Sequence, residues 1–190
     1  MSALEHYISN HFGVTQQEAA AVAKAFKPQT IAKGTHLLRT GGMCHWLSFI
    51  QSGYIRFYAE HGSKEVTQWV SSQGYFVTDL ASFVFEAPAR WSIEALTDCQ
   101  LYTISREDYR AMSTVVPNWD QLDKLFIARC FVFLENRVFG HLSKSAEERF
   151  TELFEQQPGL FNEVPLHYLA SMMGMTPETL SRLRRKLSTS

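Results

Sequence analysis

The chain has 190 residues, a formal net charge of −1 and 45% hydrophobic residues. That size and balance bound one or two ordinary globular domains. No apolar run approaches the ~20 residues needed to span a bilayer. The opening residues, Met1-Ser-Ala-Leu-Glu-His-Tyr7, lack the basic-then-apolar layout of a secretory signal, so a cytoplasmic protein with no membrane attachment is expected.

Residues 1 to 27 read as helical, with a capping box at Thr15-Gln16-Gln17-Glu18 before an alanine-rich run that Pro28 stops. From about Gln29 to Ser105 the pattern changes to short β-branched and aromatic runs separated by glycines. His61-Gly62-Ser63 reads as a hairpin turn. The last strands are expected at Trp91–Leu96 and Gln100–Ile104, and a short helix at about Arg106–Ser113. Strands at this spacing indicate a sandwich or small barrel. Pro117-Asn118 then opens a densely apolar helix to about Leu142, roughly 35 Å long at 1.5 Å per residue. Its apolar surface is too wide for one neighbour, so one face is expected on the β domain and another on a second subunit. Ser145-Ala-Glu-Glu148 is a second capping box, starting a helix to about Gln156.

The C-terminal stretch reads as two short helices around Gly174. Leu166, Leu169, Ala170 and Met173 share one helix face. Gly174 can adopt the left-handed conformation that ends a helix. Thr176 is a good N-cap, Pro177 fits the first turn, and Glu178 complements the helix dipole. Leu180, Leu183 and Leu187 form the matching stripe. Residues 166–190 hold four cations (Arg182, Arg184, Arg185, Lys186) against one anion, while the preceding 165 residues sum to −4. A basic tip on an acidic body is an electrostatic footprint for phosphate, and a helix-turn-helix places its second helix in the DNA major groove.

Metal chemistry finds little support. Cys44, Cys99 and Cys130 form no C-x-x-C, and the seven histidines form no H-x-H or H-x-x-x-H pair. His36 and His45 could meet in space, but two histidines make no ligand set. An enzyme on a metal-bearing barrel is therefore not expected, and no metal or catalytic residue is assigned.

The order of glycine-punctuated strands, long apolar helix and helix-turn-helix resembles the CRP/FNR family of bacterial transcription regulators over nearly the whole chain. The most specific stretches are Ser145-Ala-Glu-Glu-Arg-Phe150 and Leu166 through Arg182. Lys33-Gly34-Thr35, Ile50-Gln-Ser-Gly53-Tyr-Ile-Arg-Phe-Tyr58 and Ile93-Glu-Ala-Leu96 support them. The resemblance implies an α+β fold: an N-terminal double-stranded β-helix (jelly-roll) barrel, a dimerisation helix and a DNA-binding head. The expected divisions are 1–116, 117–142 and 143–190, with a hinge around Gly140 to Ser145. A homodimer is expected, its interface along Leu122, Leu125, Phe126, Arg129 and Phe133. Double-stranded DNA is the expected partner, with RNA polymerase and a small-molecule effector as further candidates.

The resemblance also assigns DNA contacts. Pro177, Glu178, Thr179 and Arg182 fall on the family's reading positions. Arg182 can donate two bonds to guanine, and Glu178 can accept from cytosine N4. Glu178 and Arg182 are four residues apart, so the carboxylate could also hold the guanidinium. Thr176, Thr179 and Ser181 are candidates for backbone contact, and Arg184, Arg185 and Lys186 for sequence-blind phosphate contact. Pro177 departs from the polar side chain many members carry, and no β-hairpin wing follows before Ser190.

The family's nucleotide pocket carries Phe-Gly-Glu-Leu and, about ten residues later, Arg-Ser/Thr-Ala. Here the corresponding effector-pocket residues are Phe76, Val77, Thr78 and Asp79, then Arg90, Trp91 and Ser92. Val77 stands at the glycine, and Thr78, or Asp79 after a one-residue shift, at the glutamate. Aligning Ile93-Glu94-Ala95 to the following strand puts Ala89 at the arginine and Trp91 at the small alanine. A one-residue slip reverses side-chain direction. No cofactor is expected, and a cyclic nucleotide is disfavoured because its phosphate lacks an assured cation. Asp79 and Arg90 could equally form a surface ion pair. The expected function is a homodimeric, sequence-specific transcriptional regulator whose barrel has an unknown or lost effector. The alternative is a ligand-sensing or protein-interaction module that no longer binds DNA.

Overall fold

The structure, a computed structural model, describes the backbone of residues 2–12 and 14–188 and the side chains of 2–10 and 14–186. Two helices come first, α1 (Ala3–Phe12) and α2 (Gln16–Lys24). The Thr15 hydroxyl accepts the Glu18 N–H while the Glu18 carboxylate accepts the Thr15 N–H, closing the expected box. The helical stretch ends earlier than residue 27. Lys27–Ile31 is already a strand, β1, and Pro28 lies on it. β1 pairs only with β8, at Cys99–Ser105, so it is an edge strand. An edge tolerates the missing proline N–H.

Six strands lie between these two: β2 (His36–Leu38), β3 (Trp46–Ser52), β4 (Ile55–His61), β5 (Lys64–Ser71), β6 (Phe76–Val77) and β7 (Ser92–Ala95). Together the eight strands make two four-stranded sheets, in the orders β1-β8-β3-β6 and β2-β7-β4-β5. This is a jelly-roll arrangement. Among the described residues no ladder joins the sheets, so the expected barrel is an open two-sheet roll. His61 pairs with Lys64 across a two-residue turn, and Gly62 takes the positive φ (63°) that such a turn requires.

The interior of the roll is filled from both sheets. Ile50, Ile55, Val77, Ile93 and Ala95 are all fully buried there, with Trp46, Trp69 and Trp91 packed around them. The outer face of the first sheet is covered by α1 and α2, where Leu4, Ile8, Ala19 and Val22 meet Phe49 and Ile104. A short helix, α3 (Leu80–Phe85), follows β6. Helix α4 (Arg106–Ala111) and a 3-10 turn at Met112–Thr114 follow β8. Arg106 is buried and donates to the Cys44 and Ser82 carbonyls at 2.5 and 2.9 Å, tying α3 and α4 together.

Helix α5 runs from Trp119 to Ser143 after Asn118, whose left-handed φ of 59° turns the chain into it. Its polar and apolar residues are mixed around the cylinder, and no α5 residue is fully buried. No helix among the described residues is long and apolar enough to cross a membrane. Beyond it come α6 (Ala146–Gln156), α7 (Leu160–Glu163), α8 (Leu166–Met172) and α9 (Pro177–Ser188). The second capping box forms as read, with Ser145 and Glu148 exchanging hydrogen bonds. These four helices share a core of Phe150, Leu160, Phe161, Leu169, Ala170, Leu180 and Leu183, which extends to Val70 and Leu96 of the roll.

Candidate nucleic-acid interface and effector pocket

Gly174 holds φ 66° after α8, and the Thr176 hydroxyl accepts the Thr179 N–H at 3.3 Å at the start of α9. The two helices around this turn meet through Leu169, Ala170, Leu180 and Leu183, each at most 5% exposed. The third residue of the α9 stripe, Leu187, lies outside the described side chains. Burying Leu180 and Leu183 fixes the rotation of α9 and turns Thr176, Pro177, Glu178, Ser181, Arg182, Arg185 and Lys186 outward. Thr179 and Arg184 are half-buried. Glu178 is held below the usual carboxylate range by its own backbone N–H and then by the Thr176 hydroxyl. No Glu178–Arg182 ion pair forms among the described residues, so the expected carboxylate brace is not made. Lys186 instead faces Glu147 of α6 at 3.4 Å.

The head also meets the roll. The Thr67 N–H of β5 donates to the Ser171 hydroxyl at 2.9 Å. Arg56 on β4 is 1% exposed, with its guanidinium between the Tyr58 ring (4.1 Å) and the Tyr168 ring of α8 (3.6 Å). It donates to Thr67 Oγ1 at 3.0 Å and to the Glu65 carboxylate at 2.8 Å. A buried charge is tolerated only when paired and hydrogen-bonded, and Arg56 is both. In the sequence Arg56 is one polar residue within the run Ile50–Tyr58. Its stacking partner is more than a hundred residues away, so no local pattern marks it.

The residues expected in the effector pocket divide differently. Phe76 stacks edge-on with Phe49, Tyr7 and Phe126, and Val77 is fully buried in the roll. The Thr78 hydroxyl donates to the Trp46 carbonyl at 2.8 Å. Asp79 is 1% exposed, and its carboxylate accepts the N–H groups of Ser82, Arg90 and Trp91 at 2.9, 2.9 and 3.1 Å. It caps α3 and pins the β7 approach at once. The alternative of an Asp79–Arg90 surface ion pair is therefore corrected: the carboxylate binds the backbone of Arg90, and the guanidinium lies 5.0 Å from the Trp91 ring centre. Ser92 is buried, within 3.1 Å of the Thr40 hydroxyl. Ala89, which one of the two alignments sets against the family arginine, is buried in the core of the roll.

Three of the five residues expected at the dimer interface face their own chain. Leu122 packs with the α1 and α2 core, Phe126 contacts Phe76, and Phe133 contacts Trp69 and Tyr75. Arg129 is exposed. Leu125 points away from the roll, on the same helical stripe as Val132 and Phe139, which are 52% and 68% exposed. Apolar residues stand on both sides of α5, and the sequence alone does not say which side meets the roll. His36 and His45 do not combine into a metal cluster: His36 lies 3.0 Å from the Tyr58 hydroxyl, and no group of three ligand-type residues assembles among the described residues.

Comparison with known proteins agrees with this architecture. Residues 28–114 match the cyclic nucleotide-binding domain family. No curated protein sequence matches the chain. Among solved structures, the catabolite activator protein of Thermus thermophilus is 23% identical, with a TM-score of 0.58 over 99% of this chain and 87% of that one. The c-di-GMP-responsive global regulator CLP of Xanthomonas campestris is 15% identical, with a TM-score of 0.66 over 92% of each chain. A CooA variant of Carboxydothermus hydrogenoformans is 18% identical, with a TM-score of 0.60 over 88% of this chain and 78% of that one. The chain thus carries a cyclic nucleotide-binding domain within the overall fold of the CAP/CRP/FNR transcriptional regulators.

Proposed function

We propose that the protein is a homodimeric, sequence-specific DNA-binding regulator, divided into a sensory roll (1–116), a dimerisation helix (117–142) and a helix-turn-helix head (143–190). The observation that carries this reading is the outward face of α9, where Glu178, Ser181, Arg182 and Arg185 stand exposed on a helix whose other face is locked by Leu180 and Leu183. That is the side-chain set a major groove accepts: a bidentate donor, an acceptor and flanking cations. Arg184, Arg185 and Lys186 serve the phosphates, so affinity falls steeply with salt. Selection of bound sequences from a random DNA pool tests the reading. Enrichment of a pseudo-palindrome with half-sites about one helical turn apart is expected, and an unenriched pool refutes it.

The dimer seam proposed for α5 is the stripe of Leu125, Ala128, Val132, Phe139 and Leu142, which faces away from the roll. Leu142 is 82% exposed, and a heptad stripe of this kind is buried by a second copy of the same helix. Val132→Asp is expected to convert the protein to monomers in sedimentation velocity. A variant that stays dimeric excludes this seam.

The roll, in this reading, does not hold a cyclic nucleotide in the family manner. Asp79 already accepts the Arg90 and Trp91 amides that would face a phosphate, and Ala89 supplies no cation. Calorimetry showing micromolar cyclic AMP binding abolished by Arg90→Ala refutes this.

One observation favours the second reading, in which the head is a packing element and not a DNA reader. Tyr168 and Ser171 of α8 dock on β4 and β5 through Arg56 and Thr67. Retained dimerisation with no shift of any genomic DNA fragment would select it.

A further inference from the structure

A cleft of about 520 Å³ opens where the roll, α5, α6 and the end of α8 meet. That volume falls within the range of small-molecule sites, roughly 300–1,000 Å³. None of the residues of the expected effector pocket lines it. Its chemistry is cationic and aromatic together. Arg137, Lys144 and Arg149 line it against a single carboxylate, Glu152. Lys144 and Glu152 pair at 2.7 Å, which leaves the two arginines as the excess charge.

The arginines are held in place by neutral groups. Arg137 lies with its guanidinium 4.5 Å from the centre of the Trp69 ring and donates to the Gln68 carbonyl. Arg149 donates to the Met173 carbonyl at 3.0 Å and the Lys144 carbonyl at 2.5 Å. Burial brings Arg137 down to about 10, the response of a cation surrounded by protein without a countercharge. His141 is held below its ordinary value by burial and then by Arg137 and Arg149, so the local field is positive. Beside these cations, Phe133 meets Trp69 edge-on at 5.4 Å. Guanidinium groups that are pre-oriented and short of anions recognise phosphate or carboxylate, and flanking aromatic faces recognise a planar ring.

We propose that this cleft is a binding site for an anion carried on a planar aromatic ring, of about mononucleotide size, which bridges the roll to the head. The anion sits between Arg137 and Arg149, and the ring lies toward Phe133 and Trp69. Because Trp69 belongs to the roll and Arg137 to α5, while Arg149, Met172 and Met173 belong to the head, occupancy fixes the angle of α9 to the roll. The site is independent of whether α9 reads DNA, and it gives the protein an input outside the roll interior.

Calorimetric titration of the full chain with 5′-AMP, 5′-GMP, phenyl phosphate, adenosine and inorganic phosphate tests this. Binding of at least one of the three aromatic phosphates is expected, with adenosine and inorganic phosphate each weaker by about tenfold or more. Arg137→Gln and Lys144→Gln are each expected to weaken that binding about tenfold, and Arg90→Ala to leave it unchanged. Lys144 is partly exposed and carries the test if Arg137→Gln fails to fold by circular dichroism. No binding of any aromatic phosphate at millimolar concentration overturns the proposal. So does binding that both cleft variants retain, or inorganic phosphate binding as tightly as the aromatic phosphates.

Discussion

The head and the roll treat their family-site positions in opposite ways. On α9 Glu178, Ser181, Arg182, Arg185 and Lys186 stay at the surface, and Leu180 and Leu183 between them are buried. In the roll the corresponding segment has turned inward: Val77 and Ala89 belong to the core, and the Asp79 carboxylate has taken up three backbone amides. An anion supplied by the chain itself, the Asp79 carboxylate, occupies these amides, and in the reading proposed above it stands where a ligand phosphate would. A binding position is therefore defined by what its hydrogen-bond donors face in the folded state as well as by residue type. The head leaves Glu178, Ser181 and Arg182 exposed, and the roll satisfies its amides internally.

The strongest way to break this contrast is through the leucine that fixes the open face. Leu180 has no exposed surface, and Leu180→Ala is expected to cost about 2–5 kcal/mol, the range for deleting a buried leucine side chain. Chemical denaturation monitored by circular dichroism measures it. A loss below 1 kcal/mol would mean that α9 is not locked against α8, and its outward face would lose its rationale.

The next test attacks the roll. Asp79→Ala leaves three amides without their acceptor, at about 1–3 kcal/mol for each that stays buried and unpaired. A lowered melting temperature is expected, partly restored by added phosphate as an external anion takes the vacated place. A variant as stable as the parent protein would show that the carboxylate does not substitute for a ligand.

Arg182→Ala sharpens the head side. It should relax preference at one base pair by about 1–3 kcal/mol while the fold is unchanged, read by fluorescence anisotropy on a selected site and its single-base variants. Full affinity with unaltered preference would remove Arg182 as a reader.

The smallest effect concerns the junction between the two regions. Burial, Arg137 and Arg149 lower the His141 pKa below 6.5, so the folded state favours neutral imidazole. The unfolded chain then binds more protons below that pH. Stability is complete above pH 6.5 and falls as pH drops through the lowered value. His141→Gln should shallow the decline in melting temperature between pH 6.5 and 5, by a few degrees at most. An unchanged pH profile would place His141 outside the field of the two arginines.

Much of the local structure was legible in the residues. Both capping boxes, the Gly62 turn, the left-handed Gly174 and the Thr176 cap formed where they were read, and each depends on groups only a few residues apart. Locality also sets the limits of that reading. Thr15 and Ser145 reach their partners within one helical turn, whatever the rest of the chain does. The edge at Pro28 depended on which strand lay beside it, and the end of α2 moved with it.

The sequence by itself therefore determined the succession of N-terminal helices, strands, long helix and C-terminal helices, several caps and turns, and the two apolar stripes of α8 and α9, but not the short helices α3 and α7. Only the tertiary structure decided which side of α5 meets the roll, because Leu122, Phe126 and Phe133 on one side and Leu125, Val132 and Phe139 on the other are alike apolar. It alone set the fate of Asp79, whose amide partners lie up to 12 residues away across a loop. It also placed Arg56 against Tyr168, and Arg137 and Arg149 around one cleft. Contacts between distant segments depend on how whole faces pack, and a face carries no mark in the sequence of the partner it will meet.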